Sequence, residues 1–407
     1  MKILVLNSGS SSVKYQLVDI GDTHYDILAK GLIEKIGEGT SFIHHQANGN
    51  GLPPIKRNIR DHNIAIQSLE GILTGSDTTI GEDNGVITNI SEIEAVGHRV
   101  VHGGIEYSAS VIITEHVMEI ISQLSSLAPL HNPPNLAGIK ACEHLGIPQV
   151  AVFDTAFHQK MPPKAYLYAL DRAILAGEDG LEVRRYGFHG TSHRYVWEKI
   201  SEKIGKNKRI ITIHLGNGCS ITAIENGQVI DTSMGLTPLE GLMMGTRGGD
   251  IDPGVVLYLI EKNKWTVEQA RTFFNNQCGL KGVSGVSNDL RKVYEASDAG
   301  NTAAKEAIDK YAYMVTKYIG AYIAALHGAD VIAFTGGVGA NSSRMREQIL
   351  RGQEWQGIVL DSNRNGQEFN EIPLLISRGP VMVYAVQTNE EYIITRDTYE
   401  LVKQVKK

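Results

Sequence analysis

Two stretches half a chain apart are written in one pattern. Ile3 to Leu17 and Ile211 to Ile224 each run from an apolar strand, through a turn of small polar residues, into a second alternating strand. The copies begin about 208 residues apart in a chain of 407. A lone hairpin cannot bury its apolar face, so each copy needs a domain built around it. The simplest account is a duplicated α/β domain with one such hairpin per half.

The remaining periodicity agrees. Residues 24–60 carry Gly31, Gly37, Gly39, Gly49 and Gly51 between short β-type runs, as hairpins do. Val117, Ile120, Ile121, Leu124 and Leu127 fall at helical spacing. Pro133 and Pro134 open a further helix to Leu145, with Gly146 closing it, and Gln149–Phe153 reads as a buried strand. A long helix spans about 302–327, with Gly328 as its C-cap. Strand Val331–Phe334, a Gly-rich turn, a helix from about Ser342, strand Val381–Val386 and a helix over about 389–404 complete the chain. Alternating helices and strands predict an α/β architecture.

Composition narrows the function. The net charge of -6 gives no electrostatic footprint for nucleic acid. The three cysteines, Cys142, Cys219 and Cys278, are too far apart for a CxxC zinc site or a disulfide framework. The apolar run Ile3–Leu6 is too short for a signal peptide, and no stretch approaches the ~20 apolar residues of a membrane span. The expectation is a soluble, reduced, cytoplasmic protein, with neither nucleic acid nor membrane as partner.

Three Gly-rich turns point to phosphate. Asn7–Ser12, with Lys14 close behind, and Leu215–Ser220 are the two repeated turns, and 334–341 follows a strand. Such turns converge backbone N–H groups on an anion, and the hydroxyls add donors. None fits the P-loop or GxGxxG spacing.

The segment Leu4 to Tyr15 resembles the amino-terminal signature of acetate kinases and their propionate- and butyrate-kinase relatives. The resemblance continues through Gly97–Gly104, Leu130–Asn135, Phe153–His158, Arg185–His193, His214–Gly218, Gly245–Pro253 and Thr388–Glu391, in family order across nearly the whole chain. It implies the actin, hexokinase and heat-shock ATPase superfold: two ribonuclease-H-like α/β domains with an active-site cleft between them. The expected domains are 1–154 with 391–407, and 155–390, the latter carrying most of the nucleotide site. The implied reaction is reversible ATP-dependent phosphorylation of acetate to acetyl phosphate, by an enzyme that is a homodimer. Alternatives are a propionate or butyrate kinase and, from another class, a nucleotide-switched binding ATPase. A switch that hydrolyses ATP needs a positioned water rather than a pair of arginines.

A carboxylate acceptor is already an anion at neutral pH, so the site needs cations more than a base. By resemblance Arg99 and Arg247 clamp the acetate carboxylate and the phosphoryl group in transit. Read alone, Arg99 in its apolar run calls for an internal partner Asp or Glu, and Arg247 for a loop salt bridge with Asp250 or Asp252. His189, by resemblance, donates a hydrogen bond to the phosphoryl group. His193 lies four residues on, at metal-binding spacing, but no HExxH pattern is present, and it reads as a helix-start residue bonding backbone. His131 is expected at the acetate site and His214 at the nucleotide phosphates.

Magnesium, with manganese as a substitute, needs few carboxylates because it keeps waters. Asp154 ends a strand, and Asn7 is placed to position Asp154, the metal or its water. Thr388 and Glu391 fit a capping box, which leaves Glu390 for the metal. The resemblance assigns the nucleotide to Ser10, Ser12, Lys14, His214, Leu215, Gly216, Asn217, Gly218, Asp289, Leu290, Arg291, Gly337, Val338, Gly339, Ala340 and Asn341. Ala340 stands where the family has glutamate, and Gly248 where it has serine. Ala173–Gly180 reads as an inserted turn. Val101, Leu130, Phe188 and Pro238 form the implied apolar wall around the acetate methyl. Val101 follows Arg99 by two, which on a strand puts both on one face.

Overall fold

The computed structural model describes residues 1–77, 85–177, 181–369 and 372–406. The chain divides into two compact units, Met1–Ala156 with Asn389–Lys407, and Phe157–Thr388.

The first unit is built on a nine-stranded sheet. Its strands are β1 (Lys2–Ser8), β2 (Ser12–Ile20), β3 (Tyr25–Glu34), β4 (Ser41–Ala47), β5 (Asn50–Gly51), β6 (Ile55–Arg57), β7 (Ile93–Val100), β8 (Val111–Ile112) and β9 (Gln149–Phe153). The order is β5-β4-β3-β2-β1-β7-β9-β8, with β6 beside β4. The second unit holds β10 (Arg209–Leu215), β11 (Cys219–Glu225), β12 (Gln228–Thr232), β13 (Val331–Thr335), β14 (Leu374–Leu375) and β15 (Met382–Ala385), ordered β12-β11-β10-β13-β15-β14.

The repeat is visible in this order. In each unit an antiparallel hairpin (β1/β2, β10/β11) carries a third antiparallel strand outside β2 or β11, and two parallel strands follow on the other side. The duplicated α/β architecture follows directly. Both repeated turns are tighter than the composition suggests. Asn7 and Ser8 belong to β1, and the hairpin closes with Gly9 N–H donating to the Ser12 carbonyl at 2.7 Å. In the second, Gly216 N–H donates to the Gly218 carbonyl at 3.0 Å.

The last helix, Glu390–Val405, packs on the first unit. Ile394, Tyr399 and Val402 join Ile3, Val5, Ala95 and Val152 in one cluster on that sheet. Gly97 makes the approach feasible, since a Cβ there would meet Thr398 Oγ1 at 2.5 Å and Ile394 Cγ2 at 2.8 Å. The opposite face buries Leu4, Leu6, Tyr15 and Leu17 against the helix His62–Leu73.

Some local expectations are corrected. The Gly-rich turn after β13 is helical from its first glycine, Gly336–Asn341, and a new helix starts at Ser343. The long helix stops at Ala325, because His327 takes a positive φ of 55° before Gly328. Of the turn expected at 173–180, Arg172–Leu175 is a short helix, and 178–180 lie outside the described residues. β7 ends at Val100, where the Val101 N–H goes to Asn135 Oδ1 at 3.0 Å, so strand alternation does not extend from Arg99 to Val101.

Candidate active site

In the first unit Arg99 lies near the end of β7 and Asp154 just past β9. These two strands are parallel neighbours with Arg99 opposite Val152, so their ends deliver both side chains to one edge. Arg99 grips Asp154 with a fork, Nε to Oδ1 at 3.0 Å and Nη2 to Oδ2 at 2.6 Å. The internal partner that the apolar surroundings of Arg99 demand is therefore Asp154. Nη1 also donates to Asn7 Oδ1 at 3.4 Å, and Glu390 lies 3.8 Å from Nε. Burial pulls the guanidinium pKa down, but Asp154 and Glu390 outweigh it and hold the group above its ordinary value. Two of the five guanidinium N–H groups remain beyond these contacts.

Glu390 and Glu391 open the last helix, where the dipole favours negative charge. The cap differs from the expected box. Asn389 is the N-cap and its side chain accepts from Tyr392 N–H at 2.9 Å. Thr388 instead meets the Ser192 hydroxyl at 2.9 Å. Glu391 is thereby released from capping and forms an ion pair with Lys14. Burial pushes the Glu390 carboxyl above its usual range; Asp154 and Glu391 add to this, and Arg99 and Lys14 oppose it. That cluster sets three carboxylates against two cations, a surplus of acid.

Ser10 is exposed, Ser12 half-buried, and Leu130 is 46% exposed. His131 precedes the helix Asn132–Ala141, and Val101 is buried.

The second unit gathers the histidines and Arg247. His189 caps the helix Gly190–Ile204 from a left-handed conformation, φ 57° and ψ 26°, which is uncommon for a residue with a side chain. Its ring stacks on His214 at 4.3 Å, and its Nδ1 lies 2.9 Å from Ser220 Oγ. His214 Nδ1 is 2.8 Å from Ser192 Oγ. His193 bonds side chains rather than backbone: Nδ1 lies 2.8 Å from Thr212 Oγ1 and Nε2 lies 2.7 Å from Ser220 Oγ. Burial, with His158 and His214 nearby, holds its pKa well below the usual value.

Among the described residues Arg247 forms no loop salt bridge. Asp250 accepts from Gly241 N–H at 2.9 Å and from the Tyr318 hydroxyl at 2.7 Å, and Asp252 caps the helix Pro253–Asn263. The Arg247 guanidinium donates to the Pro238 carbonyl at 2.5 Å. Burial lowers its pKa, and no carboxylate among the described residues offsets that. An arginine still stays charged. Gly218 shows where it points. A Cβ there would lie 2.9 Å from Arg247 Nη2 and 3.1 Å from His189 Nε2, so both nitrogens border the space that a side chain would fill.

Beside this lies a cavity of about 650 Å³. Gly216, Asn217, Asp289, Leu290, Arg291, Gly337, Val338 and Asn341 line it, as do Asn288 and Tyr294, which sequence reasoning missed. Its size suits a nucleotide. Asn288 Nδ2 donates to Asn217 Oδ1 at 3.0 Å, which ties the repeated turn to the cavity wall. Leu215 is the last residue of β10, and Gly339 and Ala340 are buried behind the wall, where Arg346 Nη1 donates to their carbonyls at 2.9 and 2.5 Å. Phe188 is fully buried. Arg185, also missed, donates through Nη1 to the Thr232 and Ser233 carbonyls at 3.0 Å and meets Glu240 through Nη2 at 2.5 Å, which fixes the segment leading to His189.

Residues 2–396 match the profile of the acetokinase family. The chain is 47% identical over 408 residues to an acetate kinase of Halothermothrix orenii, covering 99% of this chain and all of that one. A crystal structure of Porphyromonas gingivalis acetate kinase superposes with a TM-score of 0.89 at 45% identity, covering 98% of this chain and 99% of that one. A propionate kinase from Francisella tularensis superposes at 0.88 with 37% identity, again over 98% and 99%.

Proposed function

The chain belongs to the acetokinase family, and from that premise we propose how its residues carry the reaction. It transfers a phosphoryl group between ATP and acetate, giving acetyl phosphate and ADP, and runs the reverse. The observation that carries the residue assignment is Arg247, a buried cation with no acidic partner among the described residues, beside His189 at the opening left by Gly218. A site with a spare cation suits an acceptor that is already an anion and needs no base to activate it.

Arg247 and His189 meet the phosphoryl group in transit, where charge spreads over its equatorial oxygens. The two unused N–H groups of Arg99 bind the acetate carboxylate, with Asp154 fixing the plane of the guanidinium. Val101, Leu130, His131, Phe188 and Pro238 are assigned to the acid. The cavity at Asn217, Asp289 and Val338 takes the nucleoside, and His214, Gly216 and Gly218 take its phosphates; Ser10, Ser12 and Lys14 are assigned to the nucleotide by family resemblance.

No group of three metal-ligating side chains occurs among the described residues. The acid surplus around Glu390 nevertheless fits Mg²⁺, or Mn²⁺, held through waters. Glu390 and Asn7 would hold it, and bound there it neutralises ATP phosphate charge. Glu390→Ala is expected to raise the Mg²⁺ concentration for half-maximal activity. Asn389→Ala is expected to cost about 1 kcal/mol of stability, the scale of an N-cap, without moving that concentration. Magnesium titrations and urea unfolding of both variants decide the assignment; a metal defect in Asn389→Ala alone reverses it.

The overall reading is tested by ADP formation with acetate, propionate, butyrate and no acid. Substantial acid-independent ATPase overturns it in favour of a nucleotide-switched ATPase. Val101→Ala is expected to raise the propionate-to-acetate ratio of kcat/KM by roughly tenfold, since a methylene of fit is worth about 1 to 3 kcal/mol. Paired kinetics on the two acids check this, and an unchanged ratio takes Val101 out of the acid site.

The enzyme is assigned as a cytoplasmic homodimer. Its three free cysteines suit a reducing compartment. No helix among the described residues is long and apolar enough to cross a membrane. Val255, Leu257 and Tyr258 on the helix Pro253–Asn263 are exposed by 40%, 63% and 57%, with Ile251 beside them at 45%, a row that suits a second copy.

A further inference from the structure

His189 is one end of a chain of four side chains: Thr212 Oγ1 to His193 Nδ1 at 2.8 Å, His193 Nε2 to Ser220 Oγ at 2.7 Å, and Ser220 Oγ to His189 Nδ1 at 2.9 Å. Such a chain has a direction, because each hydroxyl carries one proton and a neutral imidazole has one donor and one acceptor. His193 is fully buried among Thr212, Ser220 and the rings of His158 and His214, with centroids 5.7 and 6.4 Å away. Nothing in that set is a carboxylate, so His193 stays neutral, as its lowered pKa also indicates.

Thr212 sets the direction. Among the described residues its only other acceptor in reach is the Thr222 carbonyl at 3.5 Å, too far to compete with His193 Nδ1 at 2.8 Å. Thr212 therefore gives its proton to Nδ1 of His193. The remaining proton of His193 is then on Nε2 and goes to Ser220 Oγ. The Ser220 proton in turn goes to His189 Nδ1. With Nδ1 an acceptor, a neutral His189 keeps its own proton on Nε2, the nitrogen that borders the opening at Gly218 with Arg247.

We propose that Thr212, His193 and Ser220 are positioning residues that fix the tautomer of His189, so that its uncharged ring presents an Nε2–H donor to the phosphoryl group. This rests on the kinase reading for the identity of the acceptor but not for the tautomer. It explains a histidine buried without an acid: a carboxylate on Nδ1 would select the opposite tautomer, as in hydrolase triads where the ring must act as a base. Here the ring acts as a donor, and a neutral hydroxyl–imidazole relay achieves that without adding negative charge near a phosphate.

The test is long-range ¹H–¹⁵N correlation on histidine-labelled, ligand-free protein, together with kinetics. The expected wild-type result is His189 protonated on Nε2 with a bare Nδ1; a protonated Nδ1 overturns the proposal. Ser220→Ala should mix the tautomers and lower kcat roughly tenfold or more, short of the ~10⁴-fold cost of a catalytic histidine locked in the wrong tautomer. KM for ATP and acetate should stay within about twofold, as for an interaction made only in the transition state. Ser220→Thr restores the hydroxyl and should restore both readouts. In His193→Gln the amide N–H₂ can still donate to Ser220 and its oxygen accept from Thr212, so the Nε2–H tautomer should survive. Loss of kcat in Ser220→Ala with the tautomer unchanged also overturns the proposal. Wild type lacking acetate-dependent ADP formation would sink the kinase reading instead, and the tautomer measurement stands apart from it.

Discussion

Arg247→Ala is expected to cut kcat for acetate phosphorylation by roughly 10²- to 10³-fold while the protein stays as stable as its parent. The rate loss is the scale of deleting one preorganised donor from a site where charge develops. The unchanged stability follows from the absence of an acidic partner among the described residues. Deleting the side chain removes a desolvated charge and one bond to the Pro238 carbonyl, and these effects oppose each other. KM for both substrates should change far less than kcat. The measurements are steady-state kinetics and urea unfolding of the same preparation. Near-normal turnover in folded Arg247→Ala would remove it from the phosphoryl site, and a large stability loss would mean a hidden structural partner.

Arg99→Ala is expected to behave differently although the residue type is the same. Asp154 is 1% exposed and both its oxygens accept from the Arg99 fork, so the substitution takes the cation away from a buried carboxylate. Breaking such a pair from one side costs about 3 to 5 kcal/mol, a large share of an ordinary folding free energy. The kcat loss should again reach about 10²-fold, from loss of the donors to acetate. Urea midpoints separate the two effects when kcat is measured well below the unfolding transition. The double variant Arg99→Ala/Asp154→Ala should recover much of the stability and none of the activity. Equal stability of the single and double variants would show that Asp154 is satisfied without Arg99.

What was legible in the sequence was what local chemistry writes locally. The paired hairpins could be found because alternation and small turn residues recur half a chain apart, and the shared strand order bears that out. Arg99 could be flagged because an arginine inside an apolar run needs a partner, although nothing in the sequence names Asp154, which β9 brings alongside. The cap of the last helix was misread because Thr388 and Asn389 both suit an N-cap, and the neighbouring Glu391 completes a box with only one of them. The third Gly-rich turn was read as a loop because glycine disfavours helix, yet here it starts one at the end of a buried strand. His193 shows the limit most clearly. Its two hydroxyl partners lie on β10 and β11, 19 and 27 residues away, and only the strand pairing brings them to one ring. Asn288 and Tyr294 were missed for the same reason: a cavity wall leaves no periodic trace.

The return of the last helix to the first unit bears on how the protein emerges from the ribosome. Phe157–Thr388 is one uninterrupted stretch and can close its core while translation continues, whereas the first unit waits for Ile394, Tyr399 and Val402 to cover Ile3, Val5 and Ala95. Domains usually complete in the order they are synthesised. Here the half made first is finished last, and until then one face of its central sheet is open to solvent and to whatever chaperone binds exposed β-strand. Truncation ahead of Ile394 would spare the histidine relay and Arg247 and still leave that face bare, so the loss would fall on the unit built from Met1–Ala156.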